Sequence, residues 1–231
     1  MSEVWQSRLG AVRSIIFDLD GTLVDSAPDL HAAANRLLAD MGREPLSLDT
    51  VAGFVGNGVG KLVRRCLEAT GGVYDLDEAV ALFNEHYAWA PADLTLVYEG
   101  VPELLKHLAD LGFSLGVCTN KPRGFAVTIL TKLGLLPFFS DVTGGDSIGR
   151  LKPDSAMLLH CMEQLGSDRH STLYIGDSEV DNETALRAEV PLALFANGYR
   201  KSPLADFSTV LIFEHHSELM QFSAFQRVAT P

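Results

Sequence analysis

An α/β fold, a Rossmann-like parallel sheet flanked by helices with an all-helical segment inserted into it, is what this chain of 231 residues predicts. Three observations carry the prediction. Short apolar runs of strand length alternate with longer helical patterns, which implies βαβ units and right-handed crossovers. Between about 26 and 92 the alternation stops and only helical periodicity remains. Finally, the residues able to do chemistry stand directly after apolar runs or ahead of helices. In a parallel sheet all strand C-termini lie at one edge, so such residues meet there. The predicted division is an α/β core over 1–25 and 93–231 and a helical domain over 26–92, with hinges near 24–27 and 93–98.

The first strand is the apolar run from Ser14 to Phe17, followed by Asp18-Leu19-Asp20-Gly21-Thr22. Leu30, Ala33, Ala34, Leu37, Leu38 and Met41 then recur on one helical face, with Ser26 as N-cap, Asp29 three residues on as in a capping box, and Gly42 as the stop. A short helix follows over 48–54. After Val55-Gly56-Asn57-Gly58-Val59 comes a helix carrying Leu62, Val63, Cys66 and Leu67 on one face, ended by Gly71-Gly72. The next runs over 76–90 with Leu82, Phe83, His86 and Tyr87 inward, and Pro91 breaks it. His31 and His86 read as ordinary helix residues.

From Leu96 the α/β alternation resumes. A helix with Val101, Leu104, Leu105 and Leu108 leads to the buried strand 113–118 and then Thr119-Asn120-Lys121-Pro122. A helix over 124–133, a strand near 141–143 and a helix opened by Lys152-Pro153 follow. The strand 173–175 ends in Gly176-Asp177-Ser178, and its helix runs to about Glu189. Strands at 192–195 and 210–213 and a helix from about Ser217 complete the pattern. Where Glu189 stands, a left-handed cap suits glycine better, so the helix end near Pro191 is expected to be altered.

Composition excludes several classes. Apolar residues make up 47% and charged residues 21%, a normal globular mix. The net charge of -12 argues against nucleic acid and against an anionic membrane surface. An anionic substrate would need a locally cationic site. Cys66, Cys118 and Cys161 lack metal-ligand spacing and read as buried thiols. Residues 1–10 show no signal-peptide pattern and no apolar run approaches a membrane span. A cytoplasmic enzyme, monomer or homodimer, fits these features.

Taken singly, the polar groups have structural explanations. Asp18 and Asp20 can form an acidic turn, and Thr119-Asn120 a strand-to-turn pair. Lys152-Pro153 can be a solvated helix start, and Asp177 and Asp181 can favour a helix dipole. Together and in this order they are similar to the four motifs of the haloacid dehalogenase superfamily, in its phosphatase branch, across the whole non-inserted chain.

The resemblance implies that Asp18 attacks phosphorus to form an aspartyl-phosphate. It implies that Asp20 is the general acid and then the general base, and that Thr119, Asn120 and Lys152 bind the phosphoryl oxygens. It also implies Mg²⁺, held by the Asp18 and Asp177 carboxylates and the Asp20 backbone carbonyl, with Asp181 ligating or supporting. The physics agrees: a carboxylate repels a phosphate dianion unless a cation lies between them, and Mg²⁺ takes few hard oxygen ligands. Dehalogenases of the superfamily do not need Asp20, so its presence favours phosphate-ester chemistry.

The inserted helices resemble the superfamily's helical cap. The loop Gly56-Asn57-Gly58 is similar to that of its phosphoglycolate phosphatases, as is Gly198-Tyr199-Arg200. The substrate implied is a small phosphorylated metabolite, 2-phosphoglycolate first, with its carboxylate met by loop N–H groups. Lys61 or Arg64 could add charge, although solvent is their ordinary place. The loop could equally be a tight helix–helix turn. The other readings are a phosphatase for another ester such as a sugar phosphate, a phosphomutase, and a non-catalytic binding protein on the same fold. The residues Asp154-Ser155 after Lys152-Pro153 could cap the following helix.

Overall fold

Strand β1 (Ser14–Phe17) is buried along its whole length and lies at the centre of the main sheet of the computed structural model, which describes residues 10–222. Around it stand β4 (Ser114–Cys118), β5 (Asp141–Thr143), β6 (Thr172–Gly176), β7 (Leu192–Phe195) and β8 (Leu211–Phe213), in the order β5-β4-β1-β6-β7-β8. Every pairing in this sheet is parallel. Numbered by appearance within the sheet, the order is 3-2-1-4-5-6, the doubly wound arrangement, which opens a crevice beside β1 where the winding reverses.

Alternate side chains of the strands enter two separate cores. Ile15, Phe17, Leu115, Val117, Leu173 and Ile175 pack with α5 (Val101–Asp110) and α6 (Arg123–Lys132). Ile16, Cys118, Tyr174, Leu192 and Leu194 pack with α7 (Ala156–Gln164) and α8 (Glu179–Ala188). The three cysteines are free and buried, as their apolar surroundings predict.

Between the first and second strands of the main sheet stand α1 (Ala27–Asp40), α2 (Leu48–Ala52), α3 (Val59–Thr70) and α4 (Leu76–Trp89). Their apolar faces, including Leu30, Leu37, Leu62, Val63, Phe83 and Tyr87, are buried as the periodicity requires. His86 Nε2 ties α4 to α1 at 2.7 Å from Asp40, and His31 bonds the Leu46 carbonyl. Helix α2 is two residues shorter than its pattern suggests. No helix among the described residues is long and apolar enough to cross a membrane.

Several local expectations are corrected. The capping box at α1 does not form: Ser26 makes no cap, and its hydroxyl donates instead to Asp20 Oδ1 at 2.5 Å. Asp29 accepts from Leu94 N, Thr95 N and Thr95 Oγ1 at 2.6–3.1 Å. This helix start is buried at a junction, where tertiary donors outcompete local ones. At the same junction β2 (Val24–Asp25) pairs antiparallel with β3 (Leu96–Val97), a ribbon too short to show periodicity.

Lys152-Pro153, joined by a cis peptide bond, lies in a turn rather than opening α7, which begins at Ala156 with its N–H bonded to Asp154 Oδ1. Glu189 does adopt the left-handed conformation, at φ 57°. Two bonds close the helix end there, Glu189 N to Leu186 O and Val190 N to Ala185 O. They anchor the buried Val190, and the Glu189 carboxylate pairs with Arg169. The last helix is a 3₁₀ segment, His216–Gln221. Residues 1–9 and the remainder of the predicted final helix lie outside the described residues.

Candidate active site

The crevice beside β1 gathers side chains from five connections. Asp18 continues the ladder past β1, its N–H bonding Ile175 O at 2.8 Å, so its carboxylate is fixed at the sheet edge. The turn behind it closes through Gly21 N to Val24 O. Gly21 has φ +90°, and a Cβ there would lie 2.5 Å from Asp177 Oδ2. A Cβ on Gly198 would likewise run into the Asp177 side chain. Both glycines are therefore required by the close seating of Asp177, which accepts from Thr22 Oγ1 at 2.7 Å and Tyr199 N at 2.6 Å.

Asp181 is held differently. Ser178 and Asp181 form a true capping box at the start of α8. The Asp181 carboxylate also accepts from Lys152 Nζ at 2.7 Å, Tyr174 OH at 2.6 Å and Asp177 N at 3.2 Å. Both oxygens are thus engaged by protein donors. Lys152 Nζ reaches Asp18 Oδ1 as well, at 2.9 Å. Asn120 presents its amide to the backbone: Oδ1 accepts from Lys152 N, and Nδ2 donates to Lys152 O and Gly56 O. Its side chain therefore positions the Lys152 turn at the edge of the crevice. Thr119 is buried beside it, its Oγ1 accepting from Lys121 N.

The electrostatics follow from this packing. Burial, reinforced by Asp181 and Asp20 and opposed by Lys152, pushes the Asp18 carboxyl up to about 7. Burial, with Asp181 and Asp18 nearby, raises that of Asp177 well above the ordinary range. Burial also opposes charge on Asp181, but Lys152 and the hydrogen bonds outweigh it and hold that carboxyl low. One carboxylate oxygen from each of Asp18, Asp177 and Asp181 lies within 4.8 Å of the others. Hard oxygen donors crowded this way suit a divalent cation. Asp18 Oδ1 is already paired with Lys152, so the carboxylate faces both the ammonium and the Asp177–Asp181 acids.

Asp20 points elsewhere. Its carboxylate bonds Ser26 Oγ and lies 3.1 Å from Lys121 Nζ. Lys121 is the functional candidate that motif reading passes over, although it stands directly after Thr119-Asn120. It is 5% exposed, and it bonds Tyr87 OH of α4 at 3.0 Å. Burial works against its charge, but Asp20 and Tyr87 outweigh that and raise its pKa. Tyr199, of the Gly198-Tyr199-Arg200 pattern, secures the junction beside it: its hydroxyl donates to Asp25 Oδ1 and accepts from the N–H groups of Ser26 and Ala27.

A cavity of about 30 Å³ lies between Asp18, Asp20 and the inserted helices, with Gly56 and Gly58 in its wall. Asn57 is turned to Arg65, which also holds the Phe54 carbonyl. Lys61 and Arg64 are exposed to solvent.

A doubly wound sheet with lysines and a buried acid cluster able to hold a cation at its switch point is the architecture of an α/β enzyme. Residues 15–195 match the family model for the haloacid dehalogenase-like hydrolases. The chain belongs to that family. It is 45% identical over 208 residues to the phosphoglycolate phosphatase of Cereibacter sphaeroides, covering 89% of this chain and 94% of that one. It is 40% identical over 220 residues to the phosphoglycolate phosphatase of Rhodospirillum rubrum, covering 92% and 91%. A solved structure, a predicted phosphoglycolate phosphatase from Haemophilus somnus, superposes with a TM-score of 0.87 at 29% identity, over 91% of this chain and 97% of that one.

Proposed function

We propose that this hydrolase is a Mg²⁺-dependent phosphatase acting on 2-phosphoglycolate, with Asp18 as nucleophile. The observation that carries the reading is the position of Asp18, fixed by the β1 ladder between the Lys152 ammonium and the Asp177–Asp181 acids. The names of the relatives supply the substrate.

Asp18 and Asp177, with the Asp20 carbonyl, would hold Mg²⁺, and Asp181 supports them from behind. When bound, the ion would supply the positive charge that offsets repulsion between a carboxylate nucleophile and a phosphate dianion. Asp18 attacks phosphorus and becomes an aspartyl-phosphate as the alkoxide leaves. Asp20, held by Ser26 and Lys121 away from the acid cluster, gives that alkoxide its proton and then takes one from the water that hydrolyses the acyl phosphate. Thr119 and Lys152 balance the charge of the transferring group, and Asn120 holds Lys152 in register. Residues 26–92 act as a cap, hinged at the β2–β3 ribbon, whose closure excludes water.

The test is phosphate release from a panel of small esters, with Mg²⁺ and with chelator. A metal-dependent preference for 2-phosphoglycolate is the expected result. Preference for a sugar phosphate would keep the chemistry and refute the substrate. Phosphoryl return to substrate without phosphate release would make the protein a mutase.

A further inference from the structure

We propose that Lys121, together with Tyr87, recognises the non-reacting carboxylate of the substrate and so sets the preference for a carboxylated phosphate ester. This rests on the phosphatase reading above and deepens it.

A substrate carboxylate entering the cavity needs a cation there. Among the residues lining the cavity beside Asp18 and Asp20, Lys121 is the one basic side chain. The basic residues of the Gly56–Gly58 neighbourhood do not serve: Lys61 and Arg64 face solvent, and Arg65 is engaged by Phe54 and Asn57. Lys121 is buried, and its position is fixed from two sides. Its Nζ donates to Tyr87 OH at 3.0 Å and lies 3.1 Å from Asp20 Oδ2.

An ammonium carries three donors, so one remains for a ligand. Tyr87 accepts from Lys121 in this contact, which leaves its own hydroxyl proton free to donate. Two donor groups thus border the cavity, enough for the two oxygens of a carboxylate. Leu30, Val55, Leu62 and Phe125 form apolar walls around them. Such walls keep the local dielectric low, where a charged hydrogen bond counts for most. Lys121 comes from the core and Tyr87 from α4, so this recognition also joins the two parts of the molecule.

The experiment compares kcat/KM for 2-phosphoglycolate and for 2-hydroxyethyl phosphate, which replaces the carboxylate with an alcohol, in the presence of Mg²⁺. Lys121→Met should lower the ratio of the two by about ten-fold or more, chiefly through KM for 2-phosphoglycolate. Lys121→Arg should retain most of the ratio, and Tyr87→Phe should reduce it by a smaller factor. An unchanged ratio in Lys121→Met overturns the proposal, and so does an equal loss on both esters, which would mean that Lys121 acts only through Asp20. If circular dichroism shows that Lys121→Met does not fold, Tyr87→Phe decides, and an unchanged ratio there overturns the proposal. A wild-type enzyme with no preference for the carboxylate refutes the substrate reading itself, and that result is read before any variant is made.

Discussion

Asp18 is an acid in a place that resists its charge. Its carboxyl lies near 7 in the folded, metal-free protein, against about 4 in an unfolded chain, because it is buried beside other acids. The fold therefore binds this proton more tightly than the unfolded chain does. Stability falls as pH rises from about 4 to about 7, and the destabilisation is complete above that range. Asp18→Asn should abolish turnover, by at least about a thousand-fold, in a phosphate-release assay. In chelator it should also raise the melting temperature at pH 8 but not at pH 4, measured by thermal unfolding. Gly198 tests the same site from behind. Gly198→Ala pushes a methyl group into Asp177, so Mg²⁺ affinity should drop about ten-fold or more in a calorimetric titration. The motifs made Asp18, Asp20, Lys152, Asp177 and Asp181 legible. Lys121 was not legible in the same way, because its contacts are with Asp20, 101 residues away, and Tyr87 of α4, which no local pattern reveals.

At the scale of elements, helix periodicity predicted the buried faces of α1, α3, α4 and α5 correctly. What it missed were ends and junctions. Ser26 and Asp29 have the spacing of a capping box, yet Ser26 turns back to Asp20 and Asp29 bonds Thr95 across the chain. Asp29 clamps the start of α1 to the backbone ahead of β3, where the inserted helices leave and rejoin the core. Asp29→Ala should lower stability by about 2–3 kcal/mol in urea unfolding, since it strands the buried Thr95 N–H and hydroxyl. The Lys152 turn and the left-handed Glu189 belong with Asp29. Asn120 reaches the Lys152 turn through the fold, and Arg169 reaches the Glu189 carboxylate, although the helix end itself closes locally on Ala185 and Leu186.

At the scale of the whole molecule, His216 connects the end of the described chain to the core. It is fully buried against Phe195, Phe213 and Tyr98. Burial lowers its pKa from 6.5 to about 4. The imidazole is neutral in both states above pH 6.5, so its packing contributes fully there. As pH falls from 6.5 towards 4, the unfolded chain takes up the proton first and stability is lost, by about 3 kcal/mol in total. His216→Leu should shrink this acid sensitivity, measured as the difference in unfolding free energy between pH 7 and pH 4.5.

The alternation of strands and helices determined the α/β class by itself, because period and length are local properties of a chain. The order of chemistry-bearing residues after the strands likewise determined which groups would meet, because parallel strands end at one edge. Only the tertiary structure decided the strand order around β1, the antiparallel ribbon of Val24–Asp25 with Leu96–Val97, and the direction each polar group faces. The Asn120 side chain, beside Thr119 in the same motif, holds the Lys152 turn. Lys121, without a role in the motif, occupies the cavity wall between Asp20 and Tyr87. The reason is physical: a buried polar group must find a partner, and which partner is within reach depends on how distant segments pack.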